Sequence, residues 1–355
     1  MGLALNVAVL LREWLLAREA NGPVMTLGVM DVGFTEKTFK SAIGKLSLWP
    51  PRSDVRMSAQ AYFEACGLPE LSSMDVSRYE GADFEFDLND ENLPTELVGR
   101  FGVVLNGGTL EHVFHVPNAL TNITRMLKPG GLAVHILPMS NCIDHGFYQF
   151  SPTLMLDYYA AARYELLHSA SLHFDMQAPG SCQVRPALTG SFGEGLLGTM
   201  DSKIAFHMFA ARKLPNSLDK TVPIQSLYGR KFTGESPTSR SIDWFASFEM
   251  KDGKRTTVRK PSEVQISSAW GGADGQTWTF TLPDYVPPGD SNSQPIASLL
   301  GLFEDGKLLG PPHSSHETIR TIGKGAYSHW GNALYFSTSD GSDPNTNGRR
   351  YICKF

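Results

Sequence analysis

Short apolar runs alternate with helical patterns over the first 213 residues, and this alternation limits what the chain can fold into. The strand-like runs are Val24–Val29, Leu71–Val76, Phe84–Leu88, Phe101–Leu105, Leu132–Leu137 and Ile204–Ala211. Apolar residues recur at helical spacing between them, over 5–20, 35–46, 57–66, 116–127 and 151–162. Strands that alternate with helices form a parallel sheet covered on both faces. We therefore predict an α/β domain with a mostly parallel sheet over residues 1–213.

The composition and the apolar pattern of the sequence change after residue 213. Residues 214–240 are rich in Pro, Gly, Ser and Thr, which is typical of a linker. Residues 241–355 contain short apolar runs separated by turn pairs, namely Asp252-Gly253, Asp305-Gly306 and Asn347-Gly348. Such pairs favour tight hairpins, so we predict an antiparallel β-rich domain of the sandwich type.

Composition excludes several classes of protein. The length of 355 residues suits two domains, and a net charge of −5 argues against a nucleic-acid partner. No uninterrupted apolar run approaches the length of a membrane span, and the N-terminal stretch lacks a basic leader. The four cysteines form no CxxC pair, which predicts free thiols, no metal site and a cytoplasmic location. The chain leaves the oligomeric state open, with a homo-oligomer as one option.

Two linked motifs lie in the stretch 101–159. Leu110-Glu111-His112 follows a strand and a polar turn, and Leu127-Lys128-Pro129-Gly130-Gly131 leads into the next strand. Together they resemble the second half of a class I S-adenosylmethionine-dependent methyltransferase domain. The resemblance implies a Rossmann-like sheet, S-adenosylmethionine as cofactor and methyl transfer to a small-molecule or glycan acceptor.

The same resemblance implies a set of cofactor-binding residues at the ends of the first four strands. Asp75 would take the ribose hydroxyls and Asp87 the adenine amino group, while Asn106 and Gly107 would line the methionine end. Gly28 and Asp31 belong to the first loop. Each aspartate has an alternative interpretation as a turn former or helix cap.

The first loop, 26–33, departs from the glycine-rich pattern of the family. Met30 and Val32 stand where glycines are expected, and Thr26 replaces an acid. Side chains at these positions would crowd the approach of the backbone to a ligand. Two alternatives follow: Asp31 and Gly33 form a variant loop, or cofactor binding has been lost.

A run dense in His, Asp and aromatic residues, 141–152, follows the fifth strand. His145 is the candidate catalytic base or orienting residue, since imidazole titrates near neutral pH. Tyr148 and Gln149 are candidates for shaping the acceptor pocket. In the alternative interpretation, His145 stabilises a turn and the aromatic side chains belong to the core. Ser151 and Pro152 fit the N-cap and first position of a helix.

The C-terminal tail resembles a module of bacterial polysaccharide-modifying enzymes through Ser328-His-Trp-Gly331 and Leu334–Asp340. This resemblance implies a sugar or glycan-linked hydroxyl as acceptor in surface polysaccharide biosynthesis. A second hypothesis is a non-catalytic methyltransferase-fold protein whose β domain binds glycan or a partner protein. An NAD-dependent enzyme would leave the two motifs of 101–159 unexplained.

Overall fold

The computed structural model describes residues 2–44, 55–176, 180–187, 203–226, 248–257, 263–271, 276–284, 286–292, 298 and 300–355. Its helices are α1 (Leu5–Ala17), α2 (Glu36–Ile43), α3 (Ala59–Ala65), α4 (Val116–Met126), α5 (Pro152–Ala161) and α6 (His316–Thr321). Short 3-10 helices lie at Thr95–Leu97 and Leu110–His112. The strands up to residue 212 are β1 (Gly2–Leu3), β2 (Val24–Leu27), β3 (Asp31–Val32), β4 (Leu71–Asp75), β5 (Phe84–Glu85), β6 (Phe101–Gly107), β7 (Leu127–Ser140), β8 (Glu165–Phe174), β9 (Ser181–Pro186) and β10 (Ile204–Arg212). The later strands are β11 (Phe248–Lys251), β12 (Lys254–Thr257), β13 (Glu263–Gln265), β14 (Trp270–Gly271), β15 (Trp278–Thr281), β16 (Gly301–Glu304), β17 (Lys307–Leu308), β18 (Tyr327–Trp330), β19 (Ala333–Phe336) and β20 (Tyr351–Lys354).

A ten-stranded sheet forms the centre of the α/β part, in the order β12-β11-β9-β8-β10-β7-β6-β2-β4-β5. The five strands from β5 to β7 are parallel to their neighbours. Every pairing beyond β7 is antiparallel. The strand order reverses between β2 and β6, and a doubly wound sheet binds its ligand at such a switch point, outside the carboxyl ends of the strands.

Both faces of this sheet are buried, because neighbouring residues of one strand point to opposite faces. Val103 of β6 packs with α1, α2 and α3 on one face. Val104, the next residue, packs with α4 and α5 on the other. This two-sided burial explains the continuous apolar runs of β2, β6 and β7.

Two four-stranded antiparallel sheets form the C-terminal part, in the orders β13-β20-β16-β17 and β14-β15-β19-β18. They share one apolar core, in which Leu302 and Cys353 of the first sheet meet Leu334 and Phe336 of the second. The Asp305-Gly306 turn joins β16 to β17 with φ of 48° and 78°, the left-handed values that a two-residue hairpin requires. The predicted fold class, a Rossmann-like domain followed by a β-sandwich-like one, is confirmed.

Two features of the fold were not anticipated. Strands β8 and β9 extend the large sheet, although residues 165–186 gave no strand prediction. Hairpin β11–β12 also joins this sheet through the pairing of β11 with β9, although residues 241–355 were expected to form a separate domain. The predicted linker, 214–240, is described only as far as residue 226.

The four cysteines carry free thiols, as predicted. No helix in the described part of the chain is long and apolar enough to cross a membrane.

Candidate functional site

The register of three neighbouring strands assembles the predicted cofactor residues at one edge of the sheet. Leu27 of β2 pairs with Met74 of β4 and with Asn106 of β6. Gly28 therefore lies beside the residues that follow these two partners, Asp75 and Gly107. All three stand at the carboxyl ends of parallel strands, next to the switch point between β2 and β6.

Gly28 turns the chain sharply at the end of β2. Its φ of 80° lies in the left-handed region that favours glycine, and its N–H donates to the oxygen of Met74 at 2.7 Å. The chain then forms β3, which pairs in parallel with β1. This path makes the first loop a bridge between the sheet and the N-terminal segment.

The side chains of Met30 and Val32 do not line an open surface. Both are buried in the apolar core with α1, α2 and α3. The residue between them, Asp31, is exposed and forms an ion pair with Arg56, with 2.6 Å between Oδ2 and Nη2. The missing glycines are thus replaced by residues that anchor the loop to the core.

The two other predicted aspartates differ in their surroundings. Asp75 is half-buried, and its Oδ1 accepts the N–H of Val76 at 2.6 Å. Asp87 is exposed, and its Oδ1 accepts the backbone and side-chain N–H groups of Asn89 at 2.9 and 2.8 Å. Both carboxylates therefore accept N–H groups of residues one or two positions later, the kind of hydrogen bond that the turn-forming alternative predicts.

Asn106 is fully buried and organises the loop after β6. Its Oδ1 accepts the N–H groups of Thr109 and Leu110, each at 3.1 Å. The hydroxyl of Thr109 in turn donates to the oxygen of Leu27 at 2.5 Å. These bonds fix the start of the 3-10 helix Leu110–His112 against the end of β2.

The loop after β7 holds the predicted acceptor residues. Tyr148 donates its hydroxyl to the oxygen of Phe114 at 2.9 Å, and Gln149 accepts the N–H of Cys142 through Oε1 at 2.9 Å. Both side chains therefore stabilise the loop on which His145 stands. Ser151 caps α5 by accepting the N–H of Thr153, and Pro152 is the first helical residue, as predicted.

His145 meets Glu111, a residue that the sequence analysis placed in a motif without giving it a role. Glu111 is fully buried, whereas the His145 side chain is 53% exposed, and 3.6 Å separates Oε1 from Nε2. Neither carboxylate oxygen of Glu111 has a hydrogen-bond partner among the described residues. Burial raises the pKa of this carboxyl group, and the neighbouring His145 opposes that shift only in part.

His112 completes this cluster from the same 3-10 helix as Glu111. Its ring lies 5.4 Å from the ring of His145, centroid to centroid. One ligand atom from each of Glu111, His112 and His145 lies within 4.8 Å of the other two. Desolvation lowers the pKa of His112, and the positive charge of a protonated His145 would lower it further.

Two glycines allow the loops to approach Glu111 this closely. Gly108 has a φ of 101°, and a Cβ there would lie 3.2 Å from Oε1 of Glu111. A Cβ on Gly146 would lie 2.7 Å from the backbone oxygen of Glu111, closer than real Cβ contacts allow. The signal in the sequence was the motif Leu110-Glu111-His112 itself, but the burial of Glu111 depends on packing between separate loops.

The strand order decides the fold of the α/β part. Seven neighbouring strands run β5-β4-β2-β6-β7-β10-β8, with β10 inserted antiparallel between β7 and β8. This is a Rossmann-like sheet of the kind that the resemblance to class I methyltransferases implies. No known family model matches the chain, and no curated protein of similar sequence was found.

Solved structures similar to this chain include three proteins at low identity, two of which are named as methyltransferases. TehB from Haemophilus influenzae is 15% identical, with a TM-score of 0.30, and the match covers 57% of this chain and 61% of TehB. The 1,6-didemethyltoxoflavin-N1-methyltransferase of Burkholderia thailandensis, solved with S-adenosylhomocysteine, is 14% identical, with a TM-score of 0.33. The match covers 59% of this chain and 79% of that protein. A SAM-dependent methyltransferase from Thermotoga maritima is 16% identical, with a TM-score of 0.31, and the match covers 57% of this chain and 94% of that protein. The chain thus spans less than two thirds of the length of TehB.

Proposed function

We propose that this protein transfers a methyl group from S-adenosylmethionine to a hydroxyl group of a sugar or glycan-linked acceptor. The observation that carries the proposal is the alignment of Gly28, Asp75 and Gly107 at the switch point of the sheet. Gly28 and Gly107 have no side chain that would keep a ligand away from the backbone. The carboxylate of Asp75 would accept hydrogen bonds from the hydroxyl groups of the ligand.

In this proposal the cofactor lies across the ends of β2, β4 and β6. The carboxylate of Asp75 accepts hydrogen bonds from the ribose hydroxyls, and Asp87 lies farther along the same edge, near the adenine. The methionine end lies against Asn106 and Gly107. Gly28 provides the close backbone approach, while Asp31 holds the first loop in place through Arg56.

The acceptor side of the site is the loop after β7. His145 faces the acceptor hydroxyl, and Tyr148 and Gln149 hold its loop through their bonds to Phe114 and Cys142. S-adenosylmethionine held at this edge would supply the methyl group to the acceptor oxygen and leave as S-adenosylhomocysteine, and His145 would accept the proton of the acceptor hydroxyl. Such a displacement depends chiefly on alignment of the two reacting groups.

The free thiols of the four cysteines suit a reducing compartment such as the cytoplasm.

Titration calorimetry with S-adenosylhomocysteine tests the cofactor site. Replacing Asp75 by alanine removes hydrogen bonds to a charged group, each contributing about 1.5–3 kcal/mol, so affinity should fall about tenfold or more. Glu70→Ala is the matched control, because Glu70 is exposed just before the amino end of the same strand, β4. Equal affinities of the two variants, or no binding at millimolar ligand, would contradict the proposal.

Transfer is tested separately, by following a labelled methyl group from S-adenosylmethionine to hydroxylated sugars. Incorporation that depends on His145 supports the proposed acceptor side. Cofactor binding without transfer, together with glycan binding that survives Asp75→Ala and His145→Ala, would instead support a non-catalytic protein that binds glycan through its β domain.

A further inference from the structure

The cluster of Glu111, His112 and His145 contains an unusual buried group. Both oxygens of the Glu111 carboxylate are shielded from solvent and lack hydrogen-bond partners among the described residues. A buried carboxylate without a partner is costly, so natural structures supply a positive charge or a donor. Among the described residues, the ionisable side chains around this carboxylate are the imidazoles of His112 and His145 and, at the edge of the cluster, the thiol of Cys142.

The geometry does not suit a simple ion pair. A charge-assisted N–H···O bond is about 2.7–2.9 Å long, whereas Nε2 of His145 lies 3.6 Å from Oε1 of Glu111. Two atoms that share a zinc ion at about 2.1 Å, with tetrahedral angles, lie about 3.4 Å apart. The observed separation therefore fits two ligands of one ion better than a donor and its acceptor.

From this geometry we infer that Glu111, His112 and His145 form a binding site for a divalent transition-metal ion of the zinc type. The ion would neutralise the buried carboxylate and bind one nitrogen of each imidazole. Two imidazoles and one carboxylate favour such an ion over Mg²⁺ or Ca²⁺, which prefer oxygen ligands. The sequence predicted no metal site, because the three ligands come from two loops and show no familiar spacing.

The site is built on the main chain rather than on flexible side chains. The backbone oxygen of Glu111 accepts the N–H groups of Phe147 and Tyr148, at 2.8 and 3.3 Å. Gly108 and Gly146 leave no bulk between the loops and Glu111. The backbone positions of the ligands are therefore fixed before any ion arrives, which reduces the entropy lost on binding.

The ion would remain accessible from one side, since Glu111 is buried but both imidazoles are exposed. A site with three protein ligands and open positions is the arrangement found in catalytic rather than structural zinc centres. If the proposed methyl transfer is correct, an acceptor oxygen could occupy an open position and lose its proton to solvent more readily, with His145 serving as a ligand rather than as the base. The metal site itself does not depend on that function.

Calorimetric titration of chelator-treated full-length protein with zinc chloride, without S-adenosylmethionine, tests the inference. We expect one equivalent to bind, and we expect Glu111→Gln and His145→Ala each to weaken zinc binding at least tenfold. His115→Ala is the matched control, since His115 is an exposed histidine three residues after His112 and lies outside the cluster. Circular dichroism verifies that each variant is folded.

Cobalt(II) substitution provides a second readout, because the visible spectrum of bound cobalt reports its coordination. A spectrum of four-coordinate cobalt that is lost in Glu111→Gln but retained in His115→Ala supports the site. Zinc binding that is equal in all variants would show adventitious binding and overturn the inference. If the protein binds S-adenosylhomocysteine normally but does not bind zinc, the metal site is refuted and the proposed function is not affected.

Discussion

The backbone oxygen of Glu111 accepts a hydrogen bond from the N–H of Phe147 at 2.8 Å. This bond joins the loop after β6 to the loop after β7, and each loop contributes part of the candidate cluster. The relative position of Glu111 and His145 is therefore set by main-chain contacts, independently of their charges.

Gly146→Ala should disturb this contact between the loops. The new Cβ would lie 2.7 Å from the Glu111 oxygen, and overpacking of this kind costs about 1–3 kcal/mol of unfolding free energy. Urea unfolding at constant pH measures the change. Ile143→Ala, in the same loop but strongly exposed, should change stability by less than about 0.5 kcal/mol. Equal stability of the two variants would show that the loops do not need this close approach.

Asn106→Ala should destabilise the protein even though Asn106 is a predicted cofactor residue. The substitution leaves the buried N–H of Leu110 and the N–H of Thr109 without their acceptor, at a cost of about 1–3 kcal/mol for each donor. Chemical unfolding without ligand measures this effect. Asn21→Ala removes an exposed asparagine near the opposite end of β2 and should have little effect. A loss of ligand affinity without any loss of stability would instead indicate a purely cofactor-binding role.

Acid should destabilise the large sheet through two buried histidines. Burial lowers the pKa of His135 and of His207 to about 3, well below the value of about 6.5 in an unfolded chain. Since the unfolded state takes up protons first, the stability from these neutral histidines is complete above pH 6.5 and declines toward pH 3. Each can contribute up to about 1.4 kcal/mol per pH unit over that range.

A variant isolates this contribution. His207 bonds to Ser169 Oγ through Nε2 at 2.9 Å, and His207→Gln can retain a donor there while removing the titration. Unfolding free energies measured between pH 7 and pH 5 should decline less steeply in the variant than in the wild type. Parallel declines in the two proteins would rule out His207 as a source of acid sensitivity.

Two exposed aromatic rings beside the candidate site should affect the acceptor rather than the cofactor. Phe114 and Phe147 meet edge to face, with 5.8 Å between ring centroids, and both are largely exposed. If they form an acceptor-binding surface, Phe147→Ala should raise the KM for the acceptor about two- to tenfold, corresponding to about 0.5–1.5 kcal/mol. Affinity for S-adenosylhomocysteine should not change. Val222→Ala, an exposed apolar residue elsewhere, should alter neither quantity.

Much of the local structure could be predicted because local patterns encode it. The apolar run of β6 and the capping pair Ser151-Pro152 both act within a few residues, and the structure has the corresponding elements at those places. Strand β8 was missed because it is buried on both faces and mixes polar with apolar side chains, and β9 because its alternation extends over only six residues, with Cys182 and Val184 buried. The sequence predicted crowding of the ligand by Met30 and Val32, whereas both side chains are buried in the core, because the path of the chain after Gly28 decides which way they point.

The sequence by itself determined the alternation of strands and helices, the hairpin turns and the motif that contains Glu111. The tertiary structure decided that Gly28, Asp75 and Gly107 share one strand edge, and that hairpin β11–β12 extends the large sheet. It also decided that Glu111 is buried beside His112 and His145. The physical reason is range: turns and amphipathic faces arise from neighbours in sequence, whereas burial and register depend on which distant segments pack together.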